Sequence, residues 1–180
     1  MNKQTEIEKE LAKLPILEYA FLKPDEIIFS KEVRDLCEGN SCGMYNKSWA
    51  CPPAVGSVES CKEKCYGYEK AMLFTTATVV DSSFDMKGWM QALIEHEALT
   101  DQVAAVFRSF DKDALMLSTE GCTVCKKCTY PDAPCRFPDR MYPATESYGI
   151  MVMQMAPALN IRYNNGANTV TCFSLVLFNE

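Results

Sequence analysis

A chain of 180 residues, 48% hydrophobic and 23% charged, is long and apolar enough to bury one sizeable core, with the composition of a soluble globular protein. Its net charge of −6 argues against a nucleic-acid partner, which usually needs a concentrated basic face. The ten cysteines are the feature that composition leaves to be explained. The opening stretch from Met1 to Glu10 is charged and lacks the apolar centre of an export signal, and no later run reaches the length of a membrane span. The expectation is a cytoplasmic protein without a membrane partner. In that compartment, cysteines in such number are expected to be metallated or redox-active rather than paired in disulfides, and keeping them usable points to an anaerobe.

In chain order, Glu6 to Leu14 reads as an amphipathic helix stopped by Pro15, and Ala20 to Phe29 as a short strand around Pro24. Lys31 to Gly56 reads as an irregular segment carrying Cys37, Cys42 and Cys51, the loop expected to wrap a metal. Ser57 is placed to cap a helix with Glu59 in its first turn, and Cys61 and Cys65 fall on one face of that helix. Lys70 to Val80 has the β-branched and aromatic content of a strand. Asp85 to Phe110 carries a long helical pattern with Trp89, Leu93, Val103, Phe107 and Phe110 on one stripe. Ala114 to Ser118 predicts a second strand, Thr145 to Leu159 a helix, and Thr169 to Phe178 a terminal strand after the Asn164-Asn165-Gly166 turn. The alternation predicts an α/β or α+β fold, one domain over 1–180. It has a central mixed sheet, flanking helices and two cysteine-rich metal-binding loops (about 37–65 and 121–138) gathered at one end. A long helix between the strands at 70–80 and 114–118 suits a right-handed crossover, which would make them parallel.

The chemistry is concentrated in GCTVCKKCTYPDAPCRFP, from Gly121 to Pro138. Cys122, Cys125 and Cys128 follow a C-x2-C-x2-C rhythm, with Cys135 seven positions later and a proline close by, the pattern with which ferredoxin cysteines hold an iron–sulfur cluster. Thiolates at this spacing converge when the backbone wraps a body wider than one ion, and soft sulfur donors suit bridged iron. A zinc ion usually takes its cysteines in separated pairs, and a structural zinc remains the alternative metal. The second set is Cys37, Cys42 and Cys51, completed by Cys61 or Cys65, with Cys51 and Cys135 open to exchange between the sets. The expected cofactors are therefore [4Fe–4S] clusters, one at Gly121–Pro138 and a second at the earlier set. Of the cations near these cysteines (Lys47, Lys62, Lys64, Lys126, Lys127 and Arg136), Arg136 is the one assigned to the cofactor. His96 and Cys172 read as core residues, and no nucleotide-binding glycine motif occurs.

At CxxxxCGMYNKSWACPP and GCTVCKKCTYPDAPCRFP the chain resembles a cysteine-rich family of predicted metal-binding proteins of unknown function, common in anaerobic bacteria and archaea. The likeness continues through ESCKEKCYGYEKAMLFTT, PATESYGI and the YNNGANTVT…LVLF ending, nearly the whole chain from about Cys37 onward. The resemblance implies metal ligation by Cys37, Cys42, Cys51, Cys122, Cys125, Cys128 and Cys135, adds weight to Cys61, and leaves the metal open. The function expected is electron transfer to a redox partner protein. The alternatives are a redox enzyme whose cluster keeps an open site, because the candidate ligands do not divide into two sets of four, and a zinc-stabilised structural or interaction protein.

Overall fold

Two ten-residue strands rich in apolar and β-branched residues dictate the architecture, because most of each is buried on both faces. In the computed structural model, which describes residues 3–180, these are β2 (Lys70–Val79) and β4 (Thr169–Phe178), paired antiparallel along their full length from Lys70 opposite Phe178 to Val79 opposite Thr169. The short β1 (Glu18–Leu22) and β3 (Leu115–Leu117) flank them, giving the order β1-β2-β4-β3 with every pairing antiparallel. The fold is α+β. The mixed sheet expected from the sequence is not formed. β2 and β3 do run the same way, but the final strand inserts between them and reverses both pairings.

Period-2 alternation sends the two faces of the sheet to different helices. Met72, Phe74, Val176 and Phe178 pack under α1 (Lys3–Leu11) and α4 (Met86–Phe110), with Ile7, Leu11 and Phe107 completely or almost completely buried. Leu73, Leu175 and Leu177 face α3 (Val58–Tyr66) and α5 (Val152–Ala158) across a cluster that includes Cys61, Cys65 and Met155. Ser57 caps α3, its hydroxyl accepting from the Ser60 N–H. Met1 and Asn2, the first residues of the charged opening stretch, lie outside the described residues.

Four local expectations shift. The helix α1 runs from Lys3 to Leu11, beginning three residues before the expected Glu6 and ending three residues before the expected Leu14. The first strand begins at Glu18 and stops at Leu22, because Pro24 opens a 3-10 turn, Pro24–Glu26. The buried stripe of α4 is Ala92, His96, Leu99, Val103 and Phe107, so Trp89 faces outward at 43% exposure. The helix expected over 145–159 is broken in two: Glu146–Tyr148 forms a 3-10 turn, Gly149 turns left-handed at φ 75°, and α5 begins only at Val152.

Beneath α4 lies a polar seam. His96 Nδ1 and Thr76 Oγ1 are 2.8 Å apart, His96 Nε2 and Ser174 Oγ are also 2.8 Å apart, and Thr100 reaches Ser174 at 3.1 Å. His96 is the core residue its setting in the sequence suggests, and burial lowers its pKa from 6.5 to about 4. A depressed histidine contributes stability that is fully present above pH 6.5 and lost as the pH falls toward 4. Metal-free protein should therefore lose up to roughly 3 kcal/mol over that window. Urea unfolding of His96→Gln should show a flatter dependence there, and an identical slope in both proteins would contradict this assignment.

Candidate metal centre

Both cysteine segments run out as loops closed at their base. The first loop starts at α2 (Lys31–Glu38), a helix within the segment read as irregular. It is capped by Ser30, whose hydroxyl accepts from the Glu32 N–H, and it is hard to see in sequence because Arg34 is its one buried residue. Left-handed turns at Asn40, Gly43 and Asn46 then fold the chain back, with the Asn46 N–H donating to the Pro52 carbonyl at 2.8 Å. The second loop departs from β3 and returns beside it: the Ser118 N–H donates to the Pro143 carbonyl and the Thr145 N–H to the Ser118 carbonyl, each at 2.9 Å.

Arg34 ties the feet of the two loops together. Its guanidinium, 6% exposed, donates to the Gly56 carbonyl at the end of the first loop and to the Ser147 carbonyl just past the second, both at 2.5 Å. Cys37 follows one turn later on the same helix, so this anchor sets where its sulfur lies.

The tips of the loops also meet. The Trp49 indole N–H donates to the Ala133 carbonyl at 3.1 Å, and its ring packs edge-on against Tyr130 with centroids 4.9 Å apart. The Tyr130 hydroxyl lies 3.2 Å from the Asn46 side-chain oxygen. At the centre of this contact the Cys51 sulfur rests over Gly121: a Cβ there would stand 3.2 Å from it. Gly121→Ala is expected to push the Cys51 sulfur aside, lower stability by about 1–2 kcal/mol through overpacking, and reduce the metal held by the first loop. Metal content and urea unfolding check this; a variant unchanged in both would show that the close approach is unimportant.

The sulfurs fall into two groups. Cys122, Cys125, Cys128 and Cys135 line one small cavity together with Ser48, Arg136 and Phe137. Arg136 also donates to the Lys127 carbonyl at 3.0 Å, which braces this loop across its width. Cys37, Cys42 and Cys51 line a separate, larger cleft of about 430 Å³. Cys61 and Cys65 are brought to neither. They sit in the apolar cluster under α3, with the Cys61 thiol donating to the Val55 carbonyl at 3.4 Å. Cys172 lies under α4 beside Val80, Ala92 and Val170.

The electrostatics distinguish these positions. Burial pushes the Cys51 thiol up to about 11, and its neighbours Cys42, Cys37 and Cys122 add to the rise. Cys37 is raised by burial and then by Glu146 and Cys42, and Cys122 by burial with Glu97, Cys135 and Cys125 adding to it. Cys128 alone is lowered. Burial is the largest single influence on it and acts upward, but main-chain donors at Tyr130, Trp49 and Thr129 and the Ser48 hydroxyl together outweigh it. Two of those donors come from the other loop. Thiols crowded and desolvated together resist ionising alone, whereas a bound cation takes each as a thiolate. The donor set fits a thiophilic metal. Among the described residues, no three His, Cys, Asp or Glu side chains stand close enough to hold a single ion. In Cys65, by contrast, an apolar setting raises the thiol to about 12 with no donor group around it.

Arg34, Ser48, Gly121 and the cleft carboxylates Glu120 and Glu146 are the site residues that sequence reasoning passed over. Gly121, directly before the first cysteine of the triplet, carried the one usable hint. Among the described residues no helix is long and apolar enough to cross a membrane.

The family of predicted metal-binding proteins DUF2284 matches residues 20–178, and the chain belongs to it. No curated protein and no solved structure matches the chain.

Proposed function

We propose that this chain is an iron–sulfur protein of the anaerobic cytoplasm, holding two [4Fe–4S] clusters and passing electrons to a partner enzyme. The observation that carries the reading is the single cavity walled by Cys122, Cys125, Cys128 and Cys135, donors whose spacing matches cluster ligation. These four cysteines hold one cluster, and Cys37, Cys42 and Cys51 provide ligands to the other. A bound cluster supplies storage for one electron at a time.

The chain's own groups prepare that site. The donors around Cys128 stabilise its thiolate, and hydrogen bonds to cluster sulfurs are one of the means by which a protein sets a reduction potential. The Trp49–Tyr130 pair spans the two loops and limits water over them. Cys51 against Gly121, one residue before Cys122, is a close approach between the two cysteine groups. With a net charge of −6, the chain is suited to a partner that presents a basic patch.

Protein purified without oxygen should be brown, lose visible absorption on reduction with dithionite, and develop a paramagnetic resonance from the reduced clusters. Colourless protein with no resonance after the same treatment would contradict the proposal and leave the zinc-stabilised module in its place.

A further inference from the structure

We propose that the metal group at Cys37, Cys42 and Cys51 keeps one coordination position open on its cleft, and that this position takes a small neutral or cationic ligand through a sulfur or nitrogen donor. The inference rests on the iron–sulfur reading above and specifies what its first site binds.

Three cysteines reach this cleft, and the two that the sequence offers as a fourth do not. Cys61 and Cys65 lie in the apolar cluster under α3 and neither lines the cleft; the Cys61 thiol donates to the Val55 carbonyl and sits beside the Arg34 guanidinium. Cys61 and Cys65 are the two buried residues of α3, and turning either sulfur outward would take it out of that apolar cluster. The cleft measures about 430 Å³, within the range of small-molecule pockets and well beyond what one or two waters fill.

Its lining selects the ligand. No lysine, arginine or histidine borders it, while Glu120 and Glu146 do. Glu146 opens onto the cleft even though protein atoms crowd around it. The nearest cation, Arg34, stands behind the wall with its guanidinium committed to the Ser147 and Gly56 carbonyls, so an entering phosphate or carboxylate would meet the two carboxylates first, whereas an ammonium would be attracted. Val33, Leu36, Met44 and Pro52 give the remaining wall an apolar surface for a short aliphatic chain. Iron already bound by thiolates favours soft donors, so a thiol is the best-matched group. In binding, the ligand sulfur supplies both electrons of the new bond, the thiol proton leaves to solvent, and no oxidation or reduction is involved.

The test uses two thiols of equal length and opposite charge, 2-aminoethanethiol and mercaptoacetate, titrated into anaerobically purified holoprotein. Absorption and the paramagnetic resonance of the reduced protein are followed, and retained iron is measured. The expected result is a saturable change in the spectrum with iron retained, 2-aminoethanethiol binding at least about tenfold tighter than mercaptoacetate, a difference of ~1.4 kcal/mol. Glu120→Gln combined with Glu146→Gln should narrow that gap, and Cys61→Ala should keep both its iron and its response. An unchanged spectrum with either thiol, or loss of one cluster's iron from Cys61→Ala, overturns the open position. Equal or tighter binding of mercaptoacetate overturns the ligand class. Protein that carries no iron before either thiol is added fails the iron–sulfur reading itself, and is thereby told apart from failure of this inference.

Discussion

Replacing Cys125 with alanine should strip the second loop of its metal and, with it, of its fixed shape. The main chain between Gly121 and Arg136 forms neither helix nor strand. It is braced internally by contacts such as Ala133 N–H to Thr129 O at 3.0 Å and Thr129 Oγ1 to Pro134 O at 2.8 Å. A segment held by so few bonds cannot offset its own ordering entropy, which costs on the order of 1–2 kcal/mol per residue for the backbone. In the proposed reading metal ligation supplies the difference: thiolate binding of a structural zinc is worth roughly 10 kcal/mol or more, and that binding energy is folding energy. Limited proteolysis should cut Cys125→Ala between 121 and 138 while sparing the sheet, and its metal content should fall by the share of one group. Cys172→Ala, altered in the core cluster under α4, should keep its full metal complement. Full metal and a protected loop in Cys125→Ala would remove the four-cysteine site from the account.

Arg34→Ala should have the next largest effect, on the first cysteine group and on stability together. The guanidinium satisfies two carbonyls, those of Gly56 and Ser147, from a buried position. A hydrogen bond from a charged donor is worth roughly 1.5–3 kcal/mol, so the pair contributes about 3–6 kcal/mol, and its loss takes the buried donor from both acceptors. Because Cys37 lies on the same short helix, the loss of metal should be confined to the group of Cys37, Cys42 and Cys51. Arg34→Lys should rescue little, since one ammonium on a flexible stem does not reproduce two fixed donors set apart on a planar fork. Urea unfolding together with metal analysis decides this. A variant that falls by less than about 1 kcal/mol, the level of an ordinary surface pair, would demote Arg34 to a bystander.

What the sequence made legible follows the strength of each local signal. The strands at Lys70–Val79 and Thr169–Phe178 could be read because their β-branched and aromatic residues suit a largely buried pleated surface. The α3 cap could be read because a serine ahead of a charged turn has few other uses. The α2 helix could not, since a helix that buries only an arginine has no stripe to betray it. The break at Gly149 was hidden by an otherwise helical composition on both sides. The placement of β4 between β2 and β3 is a long-range choice that no window of sequence records.

For the site, spacing alone grouped Cys122, Cys125, Cys128 and Cys135, because ligands on one loop are close in sequence. Cys61 shows the converse. Two cysteines four apart on one helix face look the same whether they point to a metal or into a core, and here the sheet on that side decides for the core. Arg34 and Ser48 act across the gap between the loops, so their contribution depends on tertiary contacts that their own sequence surroundings do not encode.

The central claim is that two sets of cysteines hold bridged iron rather than single ions. Quantifying iron, acid-labile sulfide and zinc per chain in protein prepared without oxygen tests it most directly. Two [4Fe–4S] clusters predict about eight irons and about eight sulfides per chain with zinc at trace level. About one or two zincs per chain, no sulfide, and metal–sulfur distances of roughly 2.3 Å in a tetrahedral shell would contradict it.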